Sequence, residues 1–357
     1  MTKPKCVMHS LKALLAAALC AGSLVPVPHV LAQGAANALP ERLRDTGLYA
    51  PGSTTQIAPG VLAFSPQYPL WSDGATKRRW IALPPGTSID ASRPDAWEFP
   101  RGTRLWKEFS VGRRVETRLI ERLQDGSWRF AAYVWDEAGT DATLASADGL
   151  VLNVTSERRY TIPSRYDCLA CHDGAPVPVL GFSALQLSPD RDPLAPHAEP
   201  ASGVDLRALA ARGWLRNLPP RLLEQPPRIA AATAVERAAL GYLHGNCGHC
   251  HGKPDAVGAS VPVGVLLTQS AVEPNSAADV LRSLGAASRF RAPGVATAAH
   301  IVVPGSSQSS VLPFRMRSRD PRVQMPPLGT DIADSEALAL IERWIDHSLQ
   351  SPKESEK

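Results

Sequence analysis

The chain has 357 residues, of which 44% are hydrophobic and 20% charged, and a formal net charge of +4. That length suits two domains of ordinary size, and the hydrophobic share can build real cores. Lys3, Lys5 and Lys12 fall within residues 1–32, which hold no acid, so the remainder is nearly neutral and shows no sign of nucleic acid or an anionic membrane as a partner.

Residues 1–32 read as a signal peptide. The three lysines form a basic start, an apolar run follows from Ala13 to Val25, and Val30-Leu31-Ala32 precedes Gln33 as a small-residue cleavage site. Cys20 follows Leu19, where a lipoprotein signal wants a small residue. Export to the periplasm is expected, with no membrane span once the signal is removed, because no later segment has the length of a membrane helix.

Residues 40–190 are expected to form a β-rich domain. Val115–Leu123 and Trp128–Trp135 flank Asp125-Gly126, the usual hairpin turn. Val115, Thr117 and Leu119 share one face of the first run; Glu116, Arg118 and Arg122 share the other. Trp97–Phe109 and Arg159–Pro163 predict further strands. Residues 191–232 are rich in proline and alanine and read as a linker with one short helix, Asp205–Trp214.

Residues 233–350 change character. Thr233-Ala-Val-Glu236 is a capping box, and Val235, Ala239 and Leu243 follow at helical spacing, so a helix runs into Cys247. A second helix is predicted over Ser307–Arg317. A last one starts near Asp331 or Asp334, with Leu338, Ile341, Trp344 and Ile345 on one face.

Six cysteines occur, two of them in residues 1–32. The other four stand in two identical frames, Cys168-Leu-Ala-Cys171-His172 and Cys247-Gly-His-Cys250-His251. Two thiols three positions apart on a helical turn reach both vinyl groups of one porphyrin, and the next residue, an imidazole, lies under the ring to bind iron. Two covalently attached haems c are therefore expected, with His172 and His251 as iron ligands. A zinc ribbon usually spaces its pairs by about 15–20 residues, a thioredoxin-like pair needs a βαβ setting, and structural disulfides do not call for a histidine after each pair. Met325, in Gln324-Met-Pro-Pro-Leu-Gly329 and 74 positions after His251, sits in a loop stiffened by proline and is the candidate sixth ligand of the second haem. The sixth position of the first is open between Met316, His197, His300 and solvent. Arg315 and Arg317 stand either near propionates or in solvent, and His249, between the second pair of cysteines, is expected in solvent.

On these features residues 233–349 resemble a class I cytochrome c domain: a first helix ending in Cys-x-x-Cys-His, a Met-Pro-Pro loop and a last helix with an aromatic face. The resemblance implies that the first and last helices cross, with Ala239 and Trp344 at the crossing. Nearly all of the chain beyond the signal is similar to a family of exported two-haem cytochromes of poorly defined role. The shared phrases are Pro69-Leu-Trp-Ser-Asp73, Phe99-Pro-Arg-Gly-Thr103, Val179-Leu-Gly-Phe182, Leu185-Gln-Leu187, Val303-Pro-Gly305 and Met325-Pro-Pro-Leu-Gly329. Pro100-Arg-Gly-Thr103, Lys107, Trp128 and Cys168 also follow the order found in β-sheet cytochromes of the c-prime-beta kind, some of which bond the lysine to haem. The expected fold is thus α+β and multidomain, a β-rich domain followed by an all-α class I cytochrome c domain. The expected function is electron transfer between redox partner proteins, such as a periplasmic dehydrogenase and a terminal acceptor. A haem enzyme acting at an open first haem on peroxide or a small nitrogen compound is the alternative.

Overall fold

In the computed structural model, the residues described are 38–347 and 349, except 157, 174, 201, 253–263 and 292–299. The signal reading of residues 1–32 lies outside them.

The principal sheet has six antiparallel strands in the order β1-β2-β4-β5-β6-β7. These are β1 (Leu62–Ala63), β2 (Thr76–Ala82), β4 (Arg104–Val111), β5 (Arg113–Arg122), β6 (Trp128–Trp135) and β7 (Ala142–Leu144). Strands β5 and β6 form the expected hairpin, with Arg122 opposite Trp128. The strand predicted from Trp97 begins only at Arg104. Before it, Thr103 N–H closes a turn on the Pro100 carbonyl at 3.2 Å, and Gly102 supplies the left-handed residue at φ 86°. Two smaller pairs flank the sheet: β3 (Ile89–Asp90) runs parallel to β10 (Leu215–Arg216), and β8 (Leu150–Asn153) antiparallel to β9 (Arg159–Ile162).

Seven short helices complete the described chain: α1 (Arg165–His172), α2 (Leu206–Ala211), α3 (Arg221–Glu224), α4 (Ala234–Asn246), α5 (Ser276–Leu284), α6 (Val311–Arg317) and α7 (Ser335–His347). Thr233 Oγ1 caps α4 by accepting the Glu236 N–H at 3.1 Å. Glu236 does not return to Thr233; its carboxylate accepts the Ala232 N–H at 2.9 Å and reaches Trp344 Nε1 at 3.5 Å. The helix predicted over Ser307–Arg317 is split into a 3-10 turn at Ser307–Ser309 and α6.

Helices α4 and α7 pack together, with Ala239 and Trp344 fully buried. The expected all-α class I cytochrome c domain is nevertheless overturned. The described chain is sheet-rich, and its C-terminal helices do not close a core of their own. Their core takes in Tyr68, Leu185, Ala195 and Ile229 from upstream. The reason lies on α4. A Cβ on Gly241 would stand 2.0 Å from the Tyr68 ring, and one on Gly245 2.4 Å from the Tyr68 carbonyl. Both glycines are bare so that the upstream segment can lie against the helix. Tyr68 then donates its hydroxyl to Asp192 at 3.2 Å, and Asp192 also meets Arg237 of α4 at 3.7 Å. Pro40–Lys357 accordingly forms one unit by its contacts.

Candidate functional site

The first frame occupies α1. Ser164 and Asp167 form a reciprocal capping box at its start, which fixes the helix that carries Cys168, Cys171 and His172. His172 Nδ1 lies 2.6 Å from the Pro178 carbonyl. A backbone carbonyl there takes the Nδ1 proton and leaves Nε2 as the free lone pair, the usual arrangement for a metal-binding imidazole. The ring lies 5.1 Å from that of Phe130 on β6, and burial pushes its pKa down to about 4.

The second frame follows α4. Cys247 caps the helix, and the Cys250 and His251 N–H groups both turn back to its carbonyl, at 3.1 and 2.8 Å. His251 Nδ1 is buried without a hydrogen-bond partner among the described residues. Burial lowers its pKa, Arg315 adds to the effect, and the Val265 carbonyl opposes it without reaching full hydrogen-bond geometry. Burial likewise lowers His244, whose Nδ1 accepts the Gln269 N–H at 3.0 Å, to about 4.

Among the described residues, the four cysteines are unpaired. Burial pushes Cys171 up to about 11 and Cys247 to about 12, and raises Cys168 and Cys250 as well. Burial of this kind acts opposite to the electropositive setting that lowers a reactive thiol's pKa. Cys250 contributes to the shift of Cys171, and His249 to that of His172, so the two frames stand within electrostatic reach of one another. Among the described residues, no three His, Cys, Asp or Glu side chains converge as a metal cluster. The residues present do fit haem: each frame offers two free thiols and an imidazole, one with its far nitrogen anchored and the other with that nitrogen orphaned.

Met325 is half-buried, and its N–H donates to the Arg315 carbonyl at 3.0 Å. Arg315 is half-buried, its guanidinium over the Phe290 ring at 4.5 Å, and its charge reaches His251. The Met325 loop is thereby tied to the second frame. For the first frame, Met316 is buried in the core cluster of the C-terminal helices. His197 is held by Asp334 at 2.8 Å and Glu336 at 3.3 Å, and His300 is exposed. Lys107 is half-buried on β4, facing the first frame closely enough to affect His172. Arg317 is exposed and paired with Glu342, while His249 is half-buried.

Two residues to which sequence reasoning gave no role hold the site together. Asp73 accepts the N–H groups of Asp331 and Ile332 at 3.0–3.1 Å, just beyond the Met325 loop. Trp71 takes its N–H to Asn246 Oδ1 at 2.7 Å, its indole N–H to the Ile332 carbonyl at 3.2 Å, and its ring against His197 at 4.6 Å. The Pro69–Asp73 phrase singled them out, but a contact across more than 250 positions has no local signature.

The chain matches no family model, no curated protein and no solved structure. Among the described residues, no helix is long and apolar enough to cross a membrane.

Proposed function

We propose that the chain is an exported, periplasmic dihaem c-type cytochrome of the two-haem family it resembles, and that its function is electron transfer between redox partner proteins. The observation that carries this reading is the repeated frame on two helix ends, each with two unpaired thiols and a half-buried imidazole. When bound, each haem supplies one-electron redox chemistry at its iron.

The chain's own residues would do the following. Cys168 and Cys171 would hold the first haem through thioethers, and Cys247 and Cys250 the second. His172 offers Nε2 because Pro178 engages Nδ1. Met325 would hold the iron of the second haem, kept in place by the Arg315 carbonyl and, further along its loop, by Asp73. The test is the mass and pyridine haemochrome of protein made with intact maturation machinery. Two added haems are expected; a colourless chain at its amino-acid mass refutes the reading. Met325→Ala is expected to abolish the weak methionine–ferric absorption band, and an unchanged spectrum rejects that ligand.

One observation favours a haem enzyme as the second reading. Among the described residues, each sequence candidate for the sixth ligand of the first haem is otherwise engaged or exposed: Met316 in the core, His197 on two carboxylates and His300 in solvent. A high-spin first haem that takes up cyanide or carbon monoxide quickly would favour it, and two low-spin haems with no uptake would exclude it.

A further inference from the structure

One face of the principal sheet carries charge where a core face should be apolar. Side chains alternate along a strand, and the register stacks three rows across β2, β4, β5 and β6. The first is Ile81, Leu105, Ile120 and Phe130; the second Arg79, Lys107, Arg118 and Ala132; the third Lys77, Phe109, Glu116 and Val134. Ile81 and Leu105 belong to one hydrophobic cluster, Phe109 and Ala132 to another. The cationic row runs between them.

Three of these side chains are buried, and Lys107 and Arg118 are half-buried. Lys77 is 8% exposed, Arg79 6% and Glu116 0%. A buried charge is costly unless paired, and the pairing is incomplete. Arg118 is spent on Glu116 at 2.7 Å, and Tyr160 donates to the same carboxylate. Arg79 meets Glu199 at 3.3 Å. Among the described residues, no carboxylate forms an ion pair with Lys77 or Lys107; the Lys107 ammonium lies 4.8 Å from the Phe109 ring centre. Asp334, the other carboxylate acting on Lys77, is held by His197. Of the four basic side chains, the two arginines have carboxylate partners and the two lysines have none among the described residues, and burial lowers the pKa of both lysines.

The helix bearing the first frame packs on β6 beside this row, with His172 against Phe130. We propose that Lys77, Arg79, Lys107 and Arg118 form the binding site for the two propionate carboxylates of the haem joined at Cys168 and Cys171. The inference rests on the two-haem reading above. A haem carries two carboxylates, the number the face lacks. Once joined through sulfur, it presents them at an effective concentration a free anion does not reach. Charge-assisted hydrogen bonds from lysine and arginine would hold them.

The test uses the full holoprotein and redox titration of each haem. Removing a cation beside a propionate disfavours the reduced iron. Lys107→Met and Lys77→Met are each expected to raise the oxidised-to-reduced ratio of the first haem about tenfold at fixed potential, about 59 mV for one electron. The second haem should not move, and Lys107→Arg should restore the wild-type value. Redox-difference infrared spectra should show the propionate carboxylate stretch displaced in both methionine variants. Two bound haems with unmoved potential and stretch in both would overturn the propionate site while leaving the two-haem reading intact; an absent first haem in wild type would overturn both. A saturable response of wild type to millimolar phosphate, lost in Lys107→Met, would show a site for free anions instead. A spin-state change in Lys107→Met would show the lysine on iron, and either result rejects the proposal. Should Lys107→Met fail to load haem, Lys77→Met, one register row away, carries the same decision.

Discussion

Individual residues decide how this chain tolerates charge in its interior. Glu116 is fully buried and satisfies Arg118 and Tyr160 together. Glu116→Gln should cost about 3–5 kcal/mol, because it leaves a guanidinium enclosed without its counterion; denaturant unfolding at pH 7 measures this. His244 gives a pH-dependent contribution of definite sign. Its pKa in the fold, about 4, lies below the ordinary value of 6.5. The unfolded chain therefore binds a proton that the folded chain refuses as pH falls from 6.5 towards 4. The contribution is complete above pH 6.5 and declines below it, by about 2 kcal/mol between pH 7 and 5. Unfolding free energies of wild type and His244→Asn at the two pH values should differ in slope, with the variant flatter. The same scale shows where sequence reading stops. The two Cys-x-x-Cys-His frames stand out in the sequence because their residues lie at fixed local spacing. Asp73 and Trp71 do not, since their partners are brought to them only by the folded chain.

At the level of elements, the strands and helices follow the sequence closely wherever pattern and punctuation agree. The β5–β6 hairpin forms around Asp125-Gly126, and α7 begins just after Asp334, which accepts the Ala337 N–H at 3.1 Å. The charged side of β5 is where periodicity misleads. Alternation separates two faces of a strand, but it does not say that a second layer covers the polar one, as Tyr160 and α1 do here. Helix α4 gives a reversed expectation. Glycine to alanine inside a helix normally stabilises by about 1 kcal/mol. Gly241→Ala should instead destabilise by about 1–3 kcal/mol, since the new methyl meets the Tyr68 ring. Thermal unfolding of Gly241→Ala, with and without Tyr68→Leu, checks this, and the second change should recover part of the loss.

For the whole molecule, the expected boundary near residue 233 divides the sequence by composition more sharply than it divides the core. The helical half is recognisable by the Thr233–Glu236 capping-box pattern and the helical spacing of Val235, Ala239 and Leu243. Its dependence on Tyr68, Leu185 and Ile229 could not be read from sequence, because each looks like an ordinary hydrophobic residue of its own segment. Residues 233–350 expressed alone should therefore lack a closed core. Circular dichroism and hydrogen exchange should show helix without the protection seen in the full chain, and a native-like protected fragment would contradict the shared core.

The seat of Tyr68 on Gly241 bears on the order of events during folding. Joining positions so distant in the chain closes a long loop, and such contacts form slowly. The tyrosine comes to rest only after the later helix has been delivered, so a chain interrupted before that helix keeps an aromatic ring without a berth and its upstream segment open to proteolysis.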